Sequence, residues 1–280
     1  MSIHPDAVPH EVRSPGGTVR VHDTGEPGDP RPTVVLLHGT GGDTASHFRT
    51  VYPLLAVRHR TVGIDFAPAG DGLSLDALVE QTLAVLRDRV PDRPAHLVGY
   101  SLGAVVAAAA SGTAPERVRT LALVAGWLVT DAHQRLRNDL WQRLHATDPE
   151  ALRLFSTFTA FGDPFLGRRT DQEVAALVRA HGTAPDVAAQ MRLNREVDIS
   201  GPAARITAPT LLVAGTHDQM VPVRHSRMLL GAIDDARLAE LPCGHAIPTE
   251  RPAQLVSLLE DFLADPARLP AGGVLDPIAV

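Results

Sequence analysis

The sequence predicts an α/β protein: a mostly parallel, doubly wound sheet carrying a helical insertion. Three observations support that expectation. Short, continuously apolar runs of strand length recur along the chain, as strands covered on both faces should read. Helix-period segments alternate with those runs, which is the rhythm of parallel strands joined by crossover helices. From Leu128 to about Ile206 the strand runs stop and helical patterns occupy the span.

Taken in order, residues 1 to about 10 carry Pro5 and Pro9 and are expected to fray. Val12 to His22 reads as two short strands broken at Pro15-Gly16-Gly17, a hairpin signal. A Pro/Gly loop, Gly25 to Pro32, leads to the buried strand Thr33 to Leu37. That strand ends in His38-Gly39-Thr40-Gly41-Gly42-Asp43, a loop whose backbone N–H groups can point into a site. It lacks both G-K-[ST] and the dinucleotide glycine spacing, so it is not read as a phosphate cradle. Asp43 or Thr44 can cap a helix from roughly Ala45 to Arg58. Thr61 to Asp65 is a further strand, and Leu75, Leu78, Leu83 and Leu86 fit an amphipathic helix capped by Ser74. Leu97-Val98 ends another strand, and Ala104 to Ala110 begins a small-residue helix. Thr120 to Ala125 is a buried strand. Helical patterns follow at Asp131 to His145, Pro149 to Phe161, Asp171 to His181 and Pro185 to Arg195. Strands resume at Thr210 to Ala214 and Arg237 to Leu241, and Arg251 to Leu263 is a closing helix. The expected division is a core of residues 1–127 and 207–265, a helical cap of 128–206 and a tail of 266–280, either loose or docked on a partner subunit.

At 280 residues the chain can bury a sizeable core, and 44% apolar with 21% charged residues is ordinary for a globular protein. The net charge of -6, with no basic stripe to offset it, argues against a nucleic-acid partner. All 26 basic residues are arginine, which fits the codon bias of a GC-rich genome. One cysteine, Cys243, excludes an internal disulfide framework and a cysteine metal cluster, and it reads as packing filler. The first thirty residues hold no signal-peptide core, and no run approaches the roughly 20 apolar residues of a membrane span. A cytoplasmic protein with a small-molecule partner, no nucleic acid, no membrane and no cofactor is expected; a homodimer stays open.

The stretch Gly99-Tyr100-Ser101-Leu102-Gly103 lies between the apolar run at Leu97-Val98 and the small-residue helix and fits G-x-S-x-G. A sharp strand-to-helix turn lifts one side chain clear of the sheet, and glycines two residues to either side let backbone approach without a Cβ clash. The serine then sits at a helix N-terminus, where free N–H groups favour developing negative charge. A serine hydroxyl needs a base, and the base needs an orienting group. Gly215-Thr216-His217-Asp218 follows one buried strand and Cys243-Gly244-His245 the next. His217 is the rival histidine, although its place beside Asp218 makes it a neighbour in the acid's loop. Asp65 is the rival acid, with helix capping as its other reading, and Ala125-Gly126-Trp127 offers no carboxylate after the preceding strand.

The order Ser101, Asp218, His245, with His38-Gly39, Val221-Pro222 and Glu250-Arg251-Pro252, resembles the α/β-hydrolase superfamily in its capped, esterase-like branch, over roughly residues 17 to 264. That resemblance implies Ser101 as nucleophile, His245 as general base and then acid, and Asp218 as the orienting carboxylate. It also implies an oxyanion hole from the N–H groups of Leu102 and Thr40, with His38 bracing that loop. Candidate pocket residues are Trp127, where a strand enters the insertion, Tyr100, and Phe155 and Phe158, although core packing is the better explanation of the helical spacing of most of the phenylalanines (Phe155, Phe158, Phe161 and Phe165). The implied reaction is hydrolysis of a carboxylic ester, lactone or thioester of a small apolar substrate through an acyl-enzyme. A non-hydrolytic biosynthetic enzyme (cyclase, lyase or C–C bond hydrolase) or a small-molecule receptor on the same fold stays open. The stretch Asp65 to Gly72 departs from the D-x-x-G-x-G-x-S segment common in relatives, which bears on the pocket wall.

Overall fold

A computed structural model describes residues 3–15, 17–68, 72–180 and 187–275. The chain opens with an antiparallel hairpin, β1 (Val8–Ser14) and β2 (Gly17–Asp23). Its turn residue Gly16 lies outside the described residues. β3 (Thr33–Leu37) follows, then two short helices, α1 (Thr44–His47) and α2 (Val51–Ala56). One continuous helix was expected over residues 45–58. Pro53 explains the break: inside a longer helix its ring would meet the carbonyl of Arg49, whereas in the first turn of α2 its missing N–H has no intrahelical role. Asp43 caps α1, its carboxylate accepting from the Ser46 N–H at 2.7 Å.

β4 (Arg60–Asp65), α3 (Leu75–Arg89), β5 (Ala95–Tyr100), α4 (Leu102–Thr113) and β6 (Val118–Val124) continue the alternation. Ser74 caps α3 by accepting from the Ala77 N–H at 3.1 Å. Between β6 and β7 the described residues form six helices: α5 (Ala132–Thr147), α6 (Pro149–Ala160), α7 (Asp163–Leu166), α8 (Asp171–Ala180), α9 (Val187–Asn194) and α10 (Ser200–Ala203). His181 and Pro185, the expected ends of two of these helices, fall outside the described residues. β7 (Thr210–Gly215), α11 (Arg224–Ala232), β8 (Ala236–Leu241), α12 (Ile247–Glu250) and α13 (Pro252–Ala264) complete the series. The helix α11 has no side-chain N-cap and was not foreseen.

The eight strands form one sheet in the order β1-β2-β4-β3-β5-β6-β7-β8, antiparallel at β1/β2 and β2/β4 and parallel elsewhere. The period-2 alternation of strands divides the apolar core between its faces. Val35 and Leu37 of β3 pack with α3, α4 and Leu229 of α11, while Val34 and Leu36 pack with Tyr52 and Leu55 of α2 and Leu255, Leu259 and Phe262 of α13. Helices thus cover both faces. No described helix is long and apolar enough to cross a membrane.

The tail is ordered as far as it is described. Residues 272–275 run along the free edge of β8: the Gly272 N–H donates to Ala236 O at 2.7 Å, the Leu238 N–H to Gly273 O at 2.9 Å and the Leu275 N–H to Leu238 O at 2.7 Å. The expectation of a loose tail fails over these residues because the edge of β8 offers backbone groups that need partners. Residues 276–280 lie outside the described residues.

One buried ion cluster ties the antiparallel end of the sheet to α3. Asp23 accepts from Arg60 Nε at 2.9 Å and Nη2 at 2.6 Å, and from Arg89 Nε at 3.0 Å, with its own side chain fully buried. Removing the shared carboxylate strands the buried Arg60 guanidinium and leaves Arg89 with only the exposed Glu26, at 2.8 Å. Asp23→Ala is expected to lower stability by about 3–5 kcal/mol in urea unfolding, the cost of breaking one partner out of a buried pair. A loss under 1 kcal/mol would contradict this account.

Candidate active site

The site is built on the turn from β5 into α4. Ser101 adopts φ 55°, ψ -119°, in the left-handed half of backbone space that a residue with a Cβ enters only under strain. Two glycines make the turn sterically feasible. A Cβ on Gly99 would strike the backbone of Gly103 and Ala104, and one on Gly103 would strike the carbonyls of Leu37 and His38. The Ser101 N–H is anchored to Val124 O at 2.8 Å, so β6 holds the turn from the side.

Two loops at the same edge of the sheet meet it. Asp218 follows β7; its Oδ1 accepts from the N–H groups of Met220 at 2.7 Å and Val221 at 2.8 Å. Its Oδ2 lies 2.7 Å from Nδ1 of His245, which follows β8, and Nε2 of the same ring lies 2.9 Å from Ser101 Oγ. With the Nδ1 proton directed at the carboxylate, Nε2 is the free acceptor facing the hydroxyl. All three side chains are buried. The loops are joined by the His217 N–H donating to Cys243 O at 2.9 Å. The His217 ring points away from Ser101, to Asp163 at 2.8 Å. Asp65 is occupied elsewhere: burial works to raise its carboxyl, but His22 and Thr44 outweigh that and hold it below its ordinary value. His38 accepts from the Phe66 N–H at 3.2 Å through Nε2 and reaches Gly39 O at 2.8 Å through Nδ1, pinning the start of the glycine loop.

The Ser101 and His245 side chains line a cavity of about 840 Å³ between the sheet edge and the helical segment. Of the expected pocket residues, Tyr100 and Trp127 line it, as does Thr40 of the expected oxyanion hole. Tyr100 donates its hydroxyl to His245 O at 3.2 Å, and burial pushes its phenol far above the usual range, keeping it a donor. Trp127 donates to Thr130 Oγ1 at 2.9 Å. Thr40 Oγ1 accepts from Asn194 of α9 at 2.9 Å, which fastens the glycine loop to the helical segment. Leu102 is the first residue of α4, where a backbone N–H has no intrahelical acceptor.

Phe155 and Phe158 do not line the cavity. The face of α6 turned inward carries Leu152, Ser156 and Ala160, at i, i+4 and i+8. Phe158 lies on the opposite side and is 60% exposed, and Phe155 packs against the cluster of Trp141, Leu152, Val187 and Met191. Trp141, Leu152, Phe161 and Met191 supply the apolar wall instead, joined by the unforeseen Arg137 and Asn138 of α5. Among the described residues no three or more His, Cys, Asp or Glu side chains gather as a metal site.

A family profile described as the alpha/beta hydrolase fold matches residues 32–252. The chain therefore belongs to the α/β-hydrolase family, and it is a hydrolase. It is similar to the pyrrolizixenacetamide deacetylase of Xenorhabdus hominickii, 30% identical over 242 residues, covering 83% of this chain and 91% of that one. A pimeloyl-[acyl-carrier protein] methyl ester esterase of Chromobacterium violaceum is 28% identical over 224 residues, 75% of this chain and 85% of the other. Among solved structures, the enol-lactonase of Burkholderia xenovorans LB400 superposes with a TM-score of 0.77 at 21% identity, over 91% of this chain and all of that one, a likeness of fold.

Glu250, at the end of α12, is a buried residue that the sequence did not single out as part of the site. Its Oε1 accepts from the N–H of Gly244, beside His245, at 3.0 Å and from that of Gly162, between α6 and α7, at 3.1 Å. Burial raises its carboxyl above the ordinary glutamate value, against the pull of those two N–H groups. A raised folded value means that the folded state takes up the proton first as pH falls. The group therefore opposes folding above that value, and the penalty fades as the pH falls from there to the ordinary glutamate value. Glu250→Gln keeps the accepting oxygen without the charge. It is expected to melt above wild type at pH 8, with the gap narrowing as the pH is lowered into the ordinary glutamate range, in paired thermal melts. A gap of the opposite sign at pH 8 would show the charged form to be the favoured one.

Proposed function

We propose that this protein is a serine hydrolase that cleaves a carboxylic ester, lactone or thioester of a small substrate through an acyl-enzyme. The observation that carries this reading is the chain of short contacts from Asp218 Oδ2 through His245 to Ser101 Oγ. In this reading His245 takes the Ser101 proton as Oγ attacks the substrate carbonyl, and Asp218 stabilises the imidazolium that forms. The oxyanion is received by the N–H groups of Leu102 and Thr40, each such donor contributing roughly 10²–10³ in rate. His245 returns the proton to the leaving group, then activates water to release the acid and regenerate the serine.

The helices between β6 and β7 act as a cap that closes the cavity over Ser101 and keeps bulk water from the acyl-enzyme. Trp127, Trp141, Leu152 and Met191 suit a substrate with an apolar body. The deacetylase and the methyl ester esterase, by their names, also release an acyl group to water, which agrees with this class.

Intact mass after incubation with a fluorophosphonate tests the reading. Wild type is expected to take one adduct and Ser101→Ala none, with Ser101→Ala and His245→Ala losing on the order of 10⁶ in kcat on an activated ester. Absence of an adduct on wild type, or an adduct retained by Ser101→Ala, overturns it.

A further inference from the structure

Two arginines of the helical segment, Arg137 of α5 and Arg153 of α6, line the cavity that holds Ser101. Among the described residues neither has a carboxylate partner. Arg137 donates from Nη2 to Thr159 Oγ1 at 3.2 Å, its guanidinium lies 5.6 Å from the centre of the Phe155 ring, and its Nε is buried with no acceptor. A hydroxyl and a ring face offset part of the lost hydration of a guanidinium but leave its charge unanswered. Burial draws the group down from its usual value to about 10, with Asp218 acting the other way. The Asp218 carboxylate is already engaged by His245, Met220 and Val221.

The carboxylates that do line the cavity are equally engaged. Asp65 takes the Thr44 N–H and the His22 ring, and Asp43 caps α1. Nor does Arg137 ride on a loose element: its neighbour Asn138 donates to Met191 O at 2.6 Å, holding α5 against α9. The cavity lining thus includes two arginines without carboxylate partners among the described residues, together with Ser101, His245 and apolar side chains.

We infer that the substrate carries a carboxylate remote from the bond that is cut, and that Arg137 receives it, with Arg153 adding positive charge to the same wall. This rests on the serine-hydrolase reading above and narrows it. A planar guanidinium with free N–H groups matches a carboxylate bidentately, and burial makes such a contact both strong and selective. A neutral substrate of the same shape would leave the cation unanswered.

Matched esters provide the test. One arm compares 4-nitrophenyl hydrogen adipate with its neutral methyl ester, so that the charge is on the acyl group. The other compares 4-acetoxybenzoate with methyl 4-acetoxybenzoate, so that it is on the leaving group. In at least one arm wild type is expected to favour the anionic ester by about 10- to 100-fold in kcat/KM. Arg137→Gln and Arg137→Met, which keeps an unbranched apolar stem, should bring that ratio near unity chiefly through KM, and Arg137→Lys should retain part of it. Wild type preferring the neutral ester in both arms overturns the proposal. So does an equal fall for both members of a pair in the variants, which is what a purely structural arginine would give. If wild type hydrolyses none of these esters and takes no fluorophosphonate, the hydrolase reading fails by itself. Calorimetric binding of monomethyl adipate to wild type but not to Arg137→Met would then still support the carboxylate site, and no binding to wild type would refute it.

Discussion

A serine held in left-handed backbone space between a buried strand and a buried helix is strained, and the surrounding residues are sized to keep it there. Gly99 and Gly103 admit neighbouring backbone where any side chain would collide, and the alanines of α4 let that helix settle close against β5. β6 takes the Ser101 N–H, so the turn cannot relax by drifting off the sheet. Every other part of the site is placed relative to this turn. The loops after β7 and β8 need only reach the same sheet edge, and parallel neighbouring strands bring them there without further design.

The polar groups around the turn follow one rule: each buried carboxylate holds backbone N–H groups or a cation, and each holds two pieces of chain at once. Asp23 joins β2 to β4 and α3, Asp65 joins β4 to α1, Asp218 closes its own loop while facing His245, and Glu250 joins the helical segment to the His245 loop. Such groups are costly to bury and costly to orphan, so they specify the arrangement more than they add to its stability. Arg137 is the converse case, a cation that no carboxylate of the described residues answers.

The core was legible in the sequence because a parallel strand covered on both faces must be apolar at every position, and Thr33 to Leu37 and Thr210 to Ala214 read that way. Ser74 and Asp43 announced their helices because a cap needs a particular side chain at a particular place. Other features left weaker traces. α11 begins without a cap and buries only His225, Ser226 and Leu229. Phe155 and Phe158 share the helical spacing of cavity residues, yet the rotation of α6 about its axis is set by Trp141, Val187 and Met191, which lie far from it in sequence or on other elements. Arg137 stands between Leu136 and Asn138 on a helix rich in arginine and reads as a solvated face. Only packing shows that its Nε is buried.

The described end of the chain bears on assembly. A sheet with an open edge can be extended by a strand from another copy, which is a common route to both dimers and aggregates. Along β8 that route is closed, because residues 272–275 already occupy backbone positions that an incoming strand would use. A second molecule could pair there only after displacing them. The opposite edge is β1, and it includes Pro9, a residue with no N–H to offer. Both edges of the sheet thus carry a feature that hinders the addition of a further strand.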